Sequence, residues 1–183
     1  SYTNRIDLPQ IQNNQLLQLV PGIYQTEIKK QCELRVICFG QHLVAVRLDS
    51  QAHEATKLDW RAMQGLHLDI QPYPLPDTLK QKIIRLMDKL GIVFGSLDFI
   101  VTPEGDYVFL EVNEQGQFLW VEDHNPEIKI LDRFIQFITQ GKKEFQWDPE
   151  YCEHSLQEYN GLIQEQLQCN MDKHIFLNGV THK

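Results

Sequence analysis

With 183 residues, 42% of them apolar and 23% charged, the chain is long enough to bury one ordinary core and has the composition of a globular polypeptide. No apolar run approaches the ~20 residues that cross a bilayer and the N-terminus has no signal-peptide pattern, so no membrane partner and a cytoplasmic location are expected. The formal net charge of -8 without a basic stripe argues against DNA or RNA; nucleotides stay open, because a few arginines and a bound cation reverse the field inside a site.

In chain order, Ser1 opens the sequence without a methionine, which is compatible with a processed start or a fragment. Residues 1–20 are Gln/Asn-rich, with Leu16, Leu17, Leu19 and Val20 closing a short helical stretch that Pro21-Gly22 breaks. Ile23 to Ile28 alternates as a half-buried strand should. Leu34 to Phe39 and Leu43 to Leu48 are predicted strands joined by Gly40-Gln41-His42, a hairpin connection. Residues 49–76 form a long connection containing Asp59-Trp60-Arg61, and connections of that length tend to carry function. A helix is predicted from Pro76-Asp77 to about Leu90, with Leu79, Ile83, Leu86, Met87 and Leu90 on one face and Gly91 as its stop.

A second hairpin follows, Val93 to Val101, a turn at Pro103 to Asp106, and Tyr107 to Val112. A last regular helix is expected over about Ile128 to Thr139, closed by Gly141. Residues 141–183 read as a polar C-terminal extension with one amphipathic stretch, Leu156, Tyr159, Ile163 and Leu167. The pattern is α+β, an antiparallel sheet with helices packed on one face, over residues 1–140. Cys32, Cys38, Cys152 and Cys169 form no C-x-x-C pair and no zinc pattern; Cys32 and Cys38, six apart on a strand, share a face as buried thiols.

Chemistry concentrates on the second hairpin. Glu111 and Asn113 are two apart, on one face of the return strand, and the turn brings Asp98 near Glu111. Two carboxylates and an amide oxygen make a hard-oxygen set suited to magnesium. Solvated surface charges are the competing reading, weighed against the cost of a carboxylate among Leu, Phe, Ile and Val. From residue chemistry alone the two stand level.

Asp98 followed thirteen residues later by Glu111-Val112-Asn113, within Phe-Leu-Glu-Val-Asn-Glu-Gln-Gly-Gln-Phe-Leu-Trp (109–120), resembles the metal signature of the ATP-grasp superfamily. The longer string resembles its microviridin-type peptide ligase (macrocyclase) branch, with the ribosomal-protein glutamate ligases as more distant relatives. The resemblance covers roughly residues 1–140 and implies the C-terminal subdomain of that fold. It implies ATP and two Mg2+ ions, with Asp98, Glu111 and Asn113 as metal ligands, and a substrate carboxylate, a peptide's among the candidates, activated as an acyl phosphate for attack by an amine or hydroxyl.

By the same resemblance, Gln25, Thr26, Glu27 and Ile28 would offer main chain to adenine. Arg35 would contact the terminal phosphate, for which a guanidinium is suited by its fixed charge and paired donors. Arg61 would face the acyl phosphate, with Asp59 orienting it; Arg47 and Lys57 are weaker candidates. Gly116 would permit a tight turn beside phosphate, Phe118 and Trp120 would be packing, and His124 a bland loop residue. The sequence departs from the family in having no room before Tyr24 for the N-terminal domain and the small-subdomain lysines. The isolated chain is therefore expected to be inactive, its second wall coming from a missing N-terminal part or a homo-oligomer partner. The alternative is a non-catalytic binding or assembly module derived from the same core.

Overall fold

The structure, a computed structural model, describes residues 3–6, 9, 22–52, 56–60 and 69–172. Among these, five strands, β1 (Cys32–Phe39), β2 (His42–Leu48), β3 (Ile70–Pro72), β4 (Phe94–Val101) and β5 (Tyr107–Asn113), form one sheet in the order β3-β2-β1-β4-β5. Every neighbouring pair is antiparallel. The helices are α1 (Asp77–Leu90), α2 (Trp120–His124), α3 (Ile130–Gln140) and α4 (Leu156–Asp172), with 3₁₀ turns at Pro126–Ile128 and Pro149–Tyr151. This is the α+β class expected. Among the described residues no helix is long and apolar enough to cross a membrane.

Helices cover both faces of the sheet, where the sequence suggested one. All eight residues of β1 are buried, and they divide by parity. Leu34, Val36 and Cys38 join Leu97, Phe99 and Val101 beneath Leu79, Ile83 and Met87 of α1. Ile37 and Phe39 join Val46, Leu48, Val121, Ile130, Phe137 and Phe145 on the other side. The physical signal is the nearly continuous apolar run Val36 to Phe39: a strand with one solvated face alternates, whereas one buried on both faces does not. α1 ends as its composition dictates, with Gly91 at φ 69° and its N–H turned back to the carbonyls of Met87 and Asp88.

The chain past Gln140 is tied to this body by Phe145, Trp147 and two buried carboxylates. Phe145 packs at 5.6 Å from Phe137 and 5.5 Å from His42 (ring centroids). Gly40 lets this happen: at φ 59°, a Cβ on it would lie 2.1 Å from the Lys143 carbonyl oxygen. Asp132, fully buried, accepts from the Trp147 indole at 2.7 Å, the Gln136 amide at 2.8 Å and the Glu153 N–H at 3.1 Å. Glu122 accepts from the Leu131 and Leu156 N–H groups, each at 2.7 Å, and so holds the first turns of α3 and α4 together.

Three local expectations differ from the structure. Residues 22–30 form no strand, with Ile23 90% exposed; alternation makes a strand only where a neighbouring edge pairs with it. β3 lies inside the supposed loop, three residues long and ending in Pro72, too short to register as a pattern. α2 is a five-residue helix without a periodic apolar face.

Candidate functional site

Arg35, Asp98 and Glu111 lie side by side across β1, β4 and β5: Arg35 is opposite Asp98, and Asp98 opposite Glu111. Residues directly opposite in a ladder share a face. Asn113, two beyond Glu111, shares it too, opposite Ser96. The structure therefore brings Arg35 and the three predicted metal ligands onto one surface.

A register shift makes this convergence possible. Phe99 pairs with Phe109 and Asp98 with Glu111, so Leu110 is an extra residue in β5. An unbroken ladder would pair Asp98 with Leu110 and turn Glu111 to the opposite face, beneath α1.

Arg35 and Asp98 form an ion pair with side chains 8% and 17% exposed. Nη1 of Arg35 donates to both carboxylate oxygens, at 2.8 and 2.9 Å, and Nη2 donates to the Gln117 carbonyl at 3.0 Å. Its Nε is buried without a partner, as is the Ser96 hydroxyl two residues before Asp98. Glu111 and Asn113 are exposed, and the Asn113 side-chain oxygen accepts from the Gln115 N–H at 3.0 Å. Further along β1 on the same face, buried Glu33 pairs with Lys30 at 2.9 Å; burial pushes its carboxyl up while Lys30 pulls it down. The Lys30 ammonium also donates to the Leu58 carbonyl at 2.9 Å.

These residues fit a divalent cation with phosphate oxygens. The donors are hard oxygens, and among the described residues two buried polar atoms lack a partner, the Nε–H of the arginine paired with Asp98 and the hydroxyl of Ser96 two positions before it. Among the described residues no group of three or more His, Cys, Asp or Glu converges anywhere; this set has two acids and reaches three donors only through Asn113.

The other predicted residues are placed less decisively. Gln25, Thr26 and Glu27 are exposed and Ile28 is half-buried. Glu27 is held by Arg5, whose hydrogen bond keeps its carboxyl below the usual range. Arg61 lies outside the described residues. Asp59, its expected orienter, accepts from the Thr3 N–H at 3.1 Å and the Thr3 hydroxyl at 3.2 Å.

Gly116 is favoured by packing and not by a special backbone angle: a Cβ there would stand 3.1 Å from Ser96 and from the Asn113 carbonyl oxygen. Phe118 packs against Phe94 and Phe134, and Trp120 stacks on Trp60 with centroids 4.9 Å apart. Sequence reasoning missed the Gln117 carbonyl, which also accepts from the Trp120 indole at 3.0 Å; its one signal was its place right after the Gly116 turn.

No protein-family profile matches the chain, and no match is found among curated proteins. Solved structures do match. A Chryseobacterium gregarium RiPP-associated ATP-grasp ligase, solved with ADP and a leader and core peptide, is 33% identical over 71% of this chain, with a TM-score of 0.65. The macrocyclase MdnC of Microcystis aeruginosa, bound with precursor peptide MdnA, is 34% identical over 69% of the chain, with a TM-score of 0.57. The chain is an ATP-grasp relative, on the microviridin-type branch. The ATP-grasp ligase PsnB, in its complex with precursor peptide PsnA2 and AMPPNP, shares the fold at 16% identity and a TM-score of 0.53. The chain spans 39% of the length of the first of these ATP-grasp ligases and 38% of the second.

Proposed function

We propose that the chain forms the metal- and phosphate-binding wall of an ATP-dependent ligase that activates a carboxylate of a peptide. The observation that carries this reading is the shared face of Arg35, Asp98, Glu111 and Asn113 across three adjacent strands. The peptide substrate is inferred from the two relatives above 30% identity, each solved with a peptide.

In this reading Asp98, Glu111 and Asn113 hold the magnesium, two ions as the family resemblance suggests. Magnesium held there would supply charge neutralisation to the nucleotide phosphates. Arg35, fixed from behind by the Gln117 carbonyl, presents its guanidinium to the transferring phosphoryl group, and its burial makes each charge-assisted hydrogen bond stronger than in water. A substrate carboxylate oxygen bonds to the γ-phosphorus as the bond to ADP breaks. An amine or hydroxyl then bonds to the acyl carbon, loses its proton, and expels phosphate. No side-chain nucleophile is needed; the chain positions reactants and stabilises charge. Residues 25–28 are proposed to meet adenine through main chain, and Arg61 to assist Arg35. A cytoplasmic setting, where ATP is supplied, belongs to the same proposal.

This stretch alone offers nucleotide one wall, so the isolated chain is proposed to be inactive without a second wall from an N-terminal part or a second copy. Calorimetric titration with ADP and Mg2+ tests the site: binding is expected for the native sequence and at least tenfold weakening in Asp98→Asn and Glu111→Gln. An ADP-release assay tests the inactivity. Silence toward metal and nucleotide alike would sink the ligase reading and leave the binding-module alternative.

A further inference from the structure

We propose that Arg35 and Asp98 exchange partners when the site fills, so that a divalent cation and nucleotide phosphates enter together and a cation alone is held off. This rests on the ligase reading above and adds the order in which its ligands bind.

The ion pair occupies both places at once. One guanidinium nitrogen sits 2.8 and 2.9 Å from the two Asp98 oxygens, so the carboxylate that would carry the cation already faces a fixed positive charge. With side chains 8% and 17% exposed, little water screens that charge. Arg35 cannot retreat either. It lies on the central strand, buried on both faces, with Nη2 pinned to the Gln117 carbonyl. A cation arriving without an anion would find Glu111 and Asn113 exposed at the rim, and the carboxylate behind them neutralised.

Phosphate changes the balance. Its oxygens can accept from Nη1 in place of the Asp98 oxygens, giving the guanidinium a replacement for the charge it gives up on Asp98. Asp98 would then hold the cation beside that phosphate. Each ligand removes the obstacle to the other, so the coupling between them is positive and, by linkage, equal in both directions.

The test is titration with Mn2+, followed by water-proton relaxation enhancement, which distinguishes protein-bound Mn2+ from the Mn2+–ADP complex. The native chain is expected to hold Mn2+ at least tenfold more tightly with saturating ADP than without. Arg35→Met, which removes the charge and offers no metal ligand, is expected to bind Mn2+ alone at least tenfold more tightly than the native chain, a gain that Asp98→Asn on the same background abolishes. Should Arg35→Met fail to fold, the native comparison decides by itself: equal Mn2+ affinity with and without ADP overturns the exchange. So does a folded Arg35→Met that binds Mn2+ alone no better than native, while Glu111→Gln still weakens Mn2+–ADP; there the site stands and the exchange falls. No Mn2+ binding under any condition overturns the ligase reading and this inference with it.

Discussion

Replacing Glu122 by Gln should unlock the starts of α3 and α4 without altering any residue of the proposed site. The two carboxylate oxygens accept one backbone N–H each, from Leu131 and Leu156, both at 2.7 Å, and the residue is 1% exposed. An amide offers one oxygen and turns its N–H₂ toward the second donor, leaving two donors face to face. Taking about 2 kcal/mol for a bond to a charged acceptor and about 1 for a neutral one, the exchange loses one bond entirely and halves the other, about 3 kcal/mol in all. For a domain of this size each kcal/mol moves Tm by about 2–4 °C, so E122Q should melt roughly 6 to 12 °C below the native chain. Differential scanning calorimetry gives the shift, and amide hydrogen exchange by NMR locates it: Leu131 and Leu156 should lose protection first. A variant melting within 2 °C of native, with both amides as protected as before, would refute the idea that one carboxylate clamps the C-terminal segment to the body.

Three more outcomes are expected. Burial, and secondarily the Arg133 charge, depress His42 to about 4, and its Nε2 must stay neutral to accept from Arg133 at 2.8 Å. The folded value lies below the unfolded one, so this stabilisation is complete above about pH 6.5 and is lost as pH falls toward 4, on the order of 3 kcal/mol; urea titrations at pH 7 and 4.5 should show this loss in the native chain and a flatter response in His42→Gln. Arg35→Met and Asp98→Leu should each cost about 3–5 kcal/mol by stranding a buried charge, while the double variant costs at least ~2 kcal/mol less than their sum, as measured by a denaturation cycle. A thiol reagent should label exposed Cys169 first, and reach Cys32 and Cys38 only on unfolding, because burial closes access and pushes the Cys38 thiol up to about 12.

What the sequence disclosed was whatever depends on short-range pattern. The hairpins, α1 with its Gly91 stop, and the nearness of Asp98 to Glu111 follow from turn residues, periodicity and spacing. The register did not. Tyr107 to Val112 reads Tyr-Val-Phe-Leu-Glu-Val, without alternation, so nothing local announces that Leu110 is supernumerary, the detail that sets Glu111 directly opposite Asp98. Nor could spacing reveal that Arg35 faces Asp98, since that depends on β1 and β4 pairing across sixty-three positions. The polar composition beyond residue 141 likewise concealed how firmly it is attached, because the attachment runs through buried carboxylates accepting backbone N–H groups. A carboxylate in that role looks in sequence like any surface charge.

The placement of the site within the sheet carries one further consequence. Arg35 stands on β1, flanked on both sides by full-length strands and packed on both faces, whereas Glu111 and Asn113 stand on β5, an edge strand with alternate residues exposed. Local opening costs least where few contacts and exposed backbone bonds hold a strand, and most at its buried centre. The proposed anion-binding group is thus mounted on the part of the sheet least able to move, and two of the three proposed cation ligands on a part that can adjust. A guanidinium gains from rigidity because its fork must meet phosphate oxygens in fixed directions. Magnesium, whose octahedron tolerates little distortion, gains from ligands that can shift to meet it. Asp98, on the strand between them, is the one side chain that belongs to both halves: it is held by the rigid partner and faces the adaptable ones, which is why a single ion pair can couple the two ligands.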